Sequence, residues 1–232
     1  MRPALLPLAA LCSLSCLPTA RANPEGPVVR SGSANVSVNG NTLTIQTGGQ
    51  TTFLDWRSFN VAANETTRFV QPSATSIAWN RINDPNPSQI FGRVEANGVL
   101  VLANQSGFYF GPNSFVRAAS LAVTTAPITP DMAGGGPWQF TSLPPLASII
   151  NYGTVQAENG GSLYLIAEKI FNHGILSAPD GNVGLYAGKS VLVSERPDGR
   201  GLSAQVSLPD GTVDNQGKLI ADAGTIALHA RV

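Results

Sequence analysis

Three Asn-x-Gly triplets, at Asn151–Gly153, Asn172–Gly174 and Asn215–Gly217, constrain this chain more than any other feature. The first two begin 21 residues apart and the third begins 43 residues after the second, about two further periods. Apolar positions keep the same register. Ile149, Ile170 and Val213 precede the Asn by two residues, and Val155/Ala157, Leu176/Ala178 and Leu219/Ala221 follow it at four and six. Val183/Leu185/Ala187 align with Ile226/Leu228/Ala230, and Leu163/Leu165/Ala167 align one residue later because Gly160–Gly161 adds a residue. Each triplet alternates, so the internal period is 2 and the segments are strands. A unit of about 21 residues holds two or three short strands. It cannot bury its own inward face, but stacking on the next unit, with strands about 4.8 Å apart, does so. Unrelated hairpin turns sharing Asn and Gly are the alternative, and the matched offsets disfavour it. The expected fold is all-β: a single-stranded parallel β-helix. Gly accepts a left-handed or close-packed corner. Asn tolerates such corners, and equivalent Asn side chains can form an amide ladder along the axis. Small and acidic residues, Glu158, Asp180 and Asp222, are placed at other corners.

Balanced charge, 14 basic against 14 acidic residues, leaves no electrostatic footprint for nucleic acid or an anionic membrane. Residues 1–22 read as a secretory signal peptide: Arg2, an apolar core ALLPLAALCSLSCL, then Ala20-Arg21-Ala22 before the cut. Lipid attachment at Cys12 or Cys16 is disfavoured, because Leu11 is too large and Ser13-Leu14-Ser15 is a poor match. Both cysteines lie in this segment, so residues 23–232 contain none.

The expected organisation is a cap and first coils over 23–125, a loop excursion over 126–148, and regular coils over 149–232 with an inserted hairpin at 195–212. A strand running from Asp55-Trp56 to Val61 is expected in the first part. A short hairpin is expected around Trp138–Phe140. About 200 residues at this period predict roughly nine coils. The chain stops after a repeat strand without a polar cap, which predicts the N-terminal part of a longer protein or another covering element.

Motifs of catalysis are weak. GLYAGKS at Gly184–Ser190 is one residue short of a phosphate-binding loop, and its Leu185 and Ala187 are repeat core positions. His173 and His229 share no spacing with a second ligand, so no metal and no cofactor is expected. Outward positions such as Thr154, Tyr164, Ile166 and Tyr186 are mostly neutral, unlike the clustered carboxylates of a polysaccharide-active β-helix. Trp56, Trp79 and Trp138 read as core or cap packing, with a sugar-stacking surface as the alternative.

Between Leu43 and Val116 an ordered series of short elements stands out: Trp56 with Ser58-Phe59-Asn60, Phe69-Val70-Gln71-Pro72, Asn80-Arg81-Ile82, Asn86-Pro87-Ser88-Gln89-Ile90-Phe91-Gly92, Ala96-Asn97-Gly98 and Asn104-Gln105-Ser106-Gly107. On these residues the chain resembles the N-terminal secretion domain of two-partner-secreted exoproteins of the filamentous haemagglutinin type. The resemblance continues through Phe140-Thr141 into Ile149–Gly153. One departure is Asn104–Phe108, which lacks the family's usual Pro. The resemblance implies a right-handed β-helix with an N-terminal cap and extra-helical hairpins. It implies export through the periplasm of a Gram-negative bacterium to the surface or medium, and recognition by an outer-membrane β-barrel transporter with periplasmic domains. Asn86, Pro87, Ser88, Gln89, Asn104, Gln105, Ser106 and Gly107 are the transporter-recognition candidates. The other readings are an adhesin binding host-cell glycans or receptors directly, and a polysaccharide-active enzyme.

Overall fold

A computed structural model describes residues 22–195 and 202–231. The expected signal peptide before residue 22 and the tip of the expected inserted hairpin at 196–201 lie outside the described residues.

Three columns of parallel strands wind around one interior. The first column begins with the Thr42–Gln46 part of strand Thr42–Trp56. It continues through Thr66–Val70, Arg93–Ala96, Phe115–Ala118, Thr154–Ala157, Ile175–Ser177 and Lys218–Ile220. The second begins with the Thr51–Trp56 part of the same strand. It continues through Ile77–Ile82, Val99–Asn104, Ser120–Thr124, Ser162–Ile166, Asn182–Tyr186 and Thr225–His229. The third holds Ser88–Ile90, Phe108–Phe110, Ser148–Asn151, Lys169–Asn172 and Thr212–Asn215. The fold is a right-handed parallel β-helix. The alternating residues identified from sequence fill its interior: Val155, Leu163, Leu165, Ile170, Leu176, Val183 and Leu185 are buried.

Strand Thr42–Trp56 serves two columns, and Gly48-Gly49 lies between its two paired parts, with Gly49 at φ +88. Strand Val28–Asn39 pairs with it antiparallel and forms the cap. Beneath the cap, Trp56 meets Phe59 edge-on at 5.6 Å, and Phe59 stacks on Phe69 at 6.5 Å.

Several expectations require correction. Among the described residues the first and second columns each hold seven rungs, not nine, because the cap, the excursion and a long hairpin take up chain. The strand ends at Trp56 instead of running to Val61; Val61 makes only an isolated bridge to Ile90. Trp138–Thr141 is not a hairpin of its own. It pairs antiparallel with Gly188–Glu195, which pairs in turn with Leu202–Pro209. The inserted hairpin therefore starts at Gly188, seven residues before the expected boundary, since its first strand follows the interior residue Ala187 without a break.

This extra-helical sheet lies over the outward face of the second column. Tyr164, Ile166 and Tyr186 do point away from the interior, but they are buried beneath Trp138, Phe140, Val191, Val193 and Leu202. The Tyr164 hydroxyl donates to the Leu202 carbonyl. Burial, and then the neighbouring Tyr164, push the Tyr186 hydroxyl far above its ordinary pKa. Trp79 meets Trp138 at 4.8 Å with rings at 69°. Trp56, Trp79 and Trp138 are all buried, so the sugar-stacking surface considered for them does not exist. At the other end, Ile226 and Leu228 of the last described rung are exposed.

The Asn-x-Gly corners align along the axis. Asn151, Asn172 and Asn215 occupy successive rungs of the third column. The Asn151 side-chain amide donates to Asn172 Oδ1 at 2.8 Å, and Asn172 donates to Asn215 Oδ1 at 2.7 Å. Gly153, Gly174 and Gly217 are not in the left-handed region. Their role is close approach: a Cβ on Gly174 would run into the carbonyl oxygen of Gly153, and one on Gly217 into that of Gly174. A second column, Gly161, Gly181 and Gly224, repeats this arrangement at another corner. The left-handed conformation there falls on Gly160, Asp180 and Asp222, at φ +77, +51 and +44.

Candidate recognition site

The two candidate tracts lie 16 to 18 residues apart in sequence and stack on adjacent rungs. Strand Ser88–Ile90 pairs with Phe108–Phe110, and the Ser88 amide donates to the Gly107 carbonyl at 3.0 Å. Asn104, 1% exposed, holds them together. Its side-chain amide donates to the Asn86 carbonyl at 3.2 Å and to Ser88 Oγ at 3.0 Å. Its Oδ1 accepts from the Ser106 amide at 2.9 Å. Ser106 Oγ donates to the Asp84 carbonyl at 2.8 Å, and Asp84 Oδ1 accepts from the Asn86 amide at 2.9 Å. Gly107 sits at φ +105, where a Cβ would meet the Ser148 carbonyl oxygen.

The tracts therefore divide into two sets. Ser88, Asn104 and Gly107 are buried, and their polar groups are satisfied within the turn. Asn86, Pro87, Gln89 and Gln105 are exposed, and Ser106 is half-buried. Asn60, from the preceding rung, accepts the Gln89 amide at 2.8 Å and fixes the register. The exposed set is uncharged, and the side-chain amides of Asn86, Gln89 and Gln105 suit it to hydrogen bonding and not to charge attraction. Beside it an external row of rings runs along the axis: Phe91 to Tyr109 at 5.7 Å, Tyr109 to Tyr152 at 5.9 Å, and Tyr152 to His173 at 4.7 Å. His173 thus stacks on a neighbour in this row.

Among the described residues there is no group of three or more His, Cys, Asp or Glu arranged to hold a metal ion. Leu185 and Ala187 of the GLYAGKS stretch are buried in the interior, and Gly184 belongs to strand Asn182–Tyr186. This backbone is paired in a sheet and forms no phosphate-cradling loop.

Two charged features were not singled out from the sequence. Asp55, on a strand of the cap region, receives Arg30 Nε at 2.6 Å and Arg81 Nε at 2.7 Å. Burial alone would raise its carboxyl pKa, but hydrogen bonds from Arg81 and then Arg30 hold it below the usual range. The signal was available: a carboxylate inside the apolar run Phe53-Leu54-Asp55-Trp56 needs a paired cation. The second is Glu65, 3% exposed, whose carboxylate accepts the backbone amides of Ala22 and Ala62.

The architecture is thus a capped right-handed β-helix with an extra-helical sheet and a turn-built polar patch. The TPS secretion domain profile matches residues 20–231, and the chain belongs to this family of secretion domains. The family is a secretion domain of two-partner systems, in which a second protein is the transporter; it is not an enzyme family. Proteins carrying it are secreted or displayed by Gram-negative bacteria. A heme/hemopexin-binding protein of Haemophilus influenzae strain Rd is 32% identical over 222 residues, covering 92% of this chain and 24% of the relative. A second Haemophilus influenzae protein of the same name is 32% identical over 99 residues, covering 43% of this chain and 11% of its own length. The chain thus spans about a quarter or less of these relatives. The crystal structure of the HMW1 secretion domain from Haemophilus influenzae superposes with a TM-score of 0.79 at 25% identity, covering 89% of this chain and 55% of that one.

Proposed function

We propose that this domain is read by periplasmic domains of an outer-membrane β-barrel transporter while still extended, and that it winds into the β-helix on emerging. The observation carrying this reading is the joining of 86–89 and 104–107 into one neutral patch on neighbouring rungs, exposing Asn86, Pro87, Gln89 and Gln105. In the extended chain all eight residues are available to the transporter. Once wound, Ser88, Asn104 and Gly107 are withdrawn into the turn. Folding and release from the transporter then share the same residues. Each rung that stacks also buries apolar surface and opposes backward sliding. On this reading the N-terminal segment through Ala22 directs passage to the periplasm. Binding of host glycans, receptors or a heme carrier belongs to passenger sequence beyond the secretion domain.

The test is export of the signal-bearing chain with and without its transporter. Export falls several-fold when the transporter is absent; equal export without it defeats the reading. The double change Asn86→Ala/Gln105→Ala lowers export and leaves the melting temperature in place. Asn104→Ala lowers both.

A further inference from the structure

The end of the described chain nearest the predicted leader cut meets a buried carboxylate. Ala22 donates its backbone N–H to both oxygens of Glu65, at 3.0 and 3.2 Å, and the Ala62 amide donates to Oε2 at 2.9 Å. Glu65 is 3% exposed, and among the described residues no Lys or Arg side chain pairs with it. A buried carboxylate lacking a cation is costly. The next residue shows a matching deficit. Asn23 is 8% exposed, and neither Nδ2 nor Oδ1 of its side chain has a hydrogen-bond partner.

The Ala20-Arg21-Ala22 pattern places leader cleavage between Ala22 and Asn23. We infer that Glu65 is the receptor for the α-ammonium group that this cleavage creates on Asn23. Hydrolysis of the Ala22–Asn23 peptide bond frees an amine, which takes up a proton and becomes a cation with three N–H donors. Its nitrogen lies one residue step, at most roughly 3.3–3.6 Å, from that of Ala22. It supplies the charge that Glu65 lacks and a donor for the unpartnered Asn23 Oδ1. Glu65 is held for this role by its own backbone: its N–H donates to the Ala62 carbonyl at 2.9 Å, and its carbonyl accepts the Arg93 amide at 3.0 Å. Removal of the leader and docking of the mature terminus under the first rungs are therefore one coupled event. Among the described residues, the unprocessed chain offers Glu65 only neutral backbone amides.

The test begins with the mass of the exported chain, which is expected to start at Asn23; a chain retaining Ala22 overturns the assignment. The processed chain is then prepared in two forms, one with Asn23 as its free terminus and one extended by Ser-Gly-Ala. The extension keeps an amide at position 22 and moves the charge away. The free form is expected to melt about 2–4 °C higher. In Glu65→Gln, which still accepts the Ala62 amide, the difference between the two forms is expected to vanish. Equal melting temperatures for the two forms of the Glu65 chain overturn the inference, as does a difference that survives in Glu65→Gln. If Glu65→Gln does not fold, the comparison within the Glu65 chain decides alone.

Discussion

Asn172 sits between two copies of itself: it accepts the Asn151 side-chain amide on Oδ1 and passes its own amide to Asn215. The Asn172 side chain is fully buried, so its bond from Asn151 is shielded from water, while the bond to the exposed Asn215 is only partly so. Asn172→Ala removes both; the buried Asn151 amide keeps only its bond to the Gly153 carbonyl, while the exposed Asn215 carbonyl can turn to water. A cost of about 1–3 kcal/mol is expected, most of it from the buried Asn151 amide. Urea titration of the variant measures it, with Asn159→Ala, at an external turn lining a surface cleft, as the control.

Gly174→Ala tests close approach. The added methyl would occupy the space of the Gly153 carbonyl oxygen. Rungs would have to separate, and a loss of at least about 2–3 kcal/mol, or failure to fold, is the expected result. Gly134→Ala has open space around the added methyl and no positive φ. It is expected to change stability by less than about 0.5 kcal/mol. Parallel thermal melts of the two variants decide the matter.

Asp55 predicts an acid-sensitive cap. Its folded-state pKa is lowered, so its contribution is present above the unfolded value of about 3.9 and fades as pH falls through the folded value. Asp55→Asn is expected to destabilise the domain near pH 6 by about 1–3 kcal/mol through lost charge-assisted bonds to Arg81 and Arg30. The gap between parent and variant narrows below about pH 4. Denaturant midpoints at a series of pH values test the sign; a gap that widens in acid contradicts it.

The extra-helical sheet predicts a different phenotype. Trp138→Ala removes the ring packed on Trp79 and opens the outer apolar cluster, while the helix interior stays closed. A loss of about 3–5 kcal/mol is expected, together with binding of a dye specific for exposed apolar surface. A variant that unfolds earlier without binding the dye at low temperature would argue against a separately opening layer.

The interior was legible in the sequence because each rung repeats the same alternation. Val183/Leu185/Ala187 over Ile226/Leu228/Ala230 could be paired by counting, and Val183↔Ile226 and Leu185↔Leu228 are partners in the sheet. The outer layer was not legible. Trp138–Thr141 pairs with Gly188–Glu195 some fifty residues away, and a single antiparallel pairing leaves no period to detect. For the same reason Tyr164 and Tyr186 read as neutral outward residues, when they are the floor under that sheet. In the candidate tracts, sequence grouped eight residues by resemblance alone. It did not separate Asn104, which is consumed by local hydrogen bonds, from Gln105, which is not, because adjacent residues in a tight turn differ in exposure without differing in pattern.

The glycine columns have one further consequence. Since Gly217 fits against Gly174 as Gly174 fits against Gly153, each corner offers its successor the same mould. Length is then a free variable of this architecture: duplicating one turn of sequence lengthens the rod without redesigning any joint.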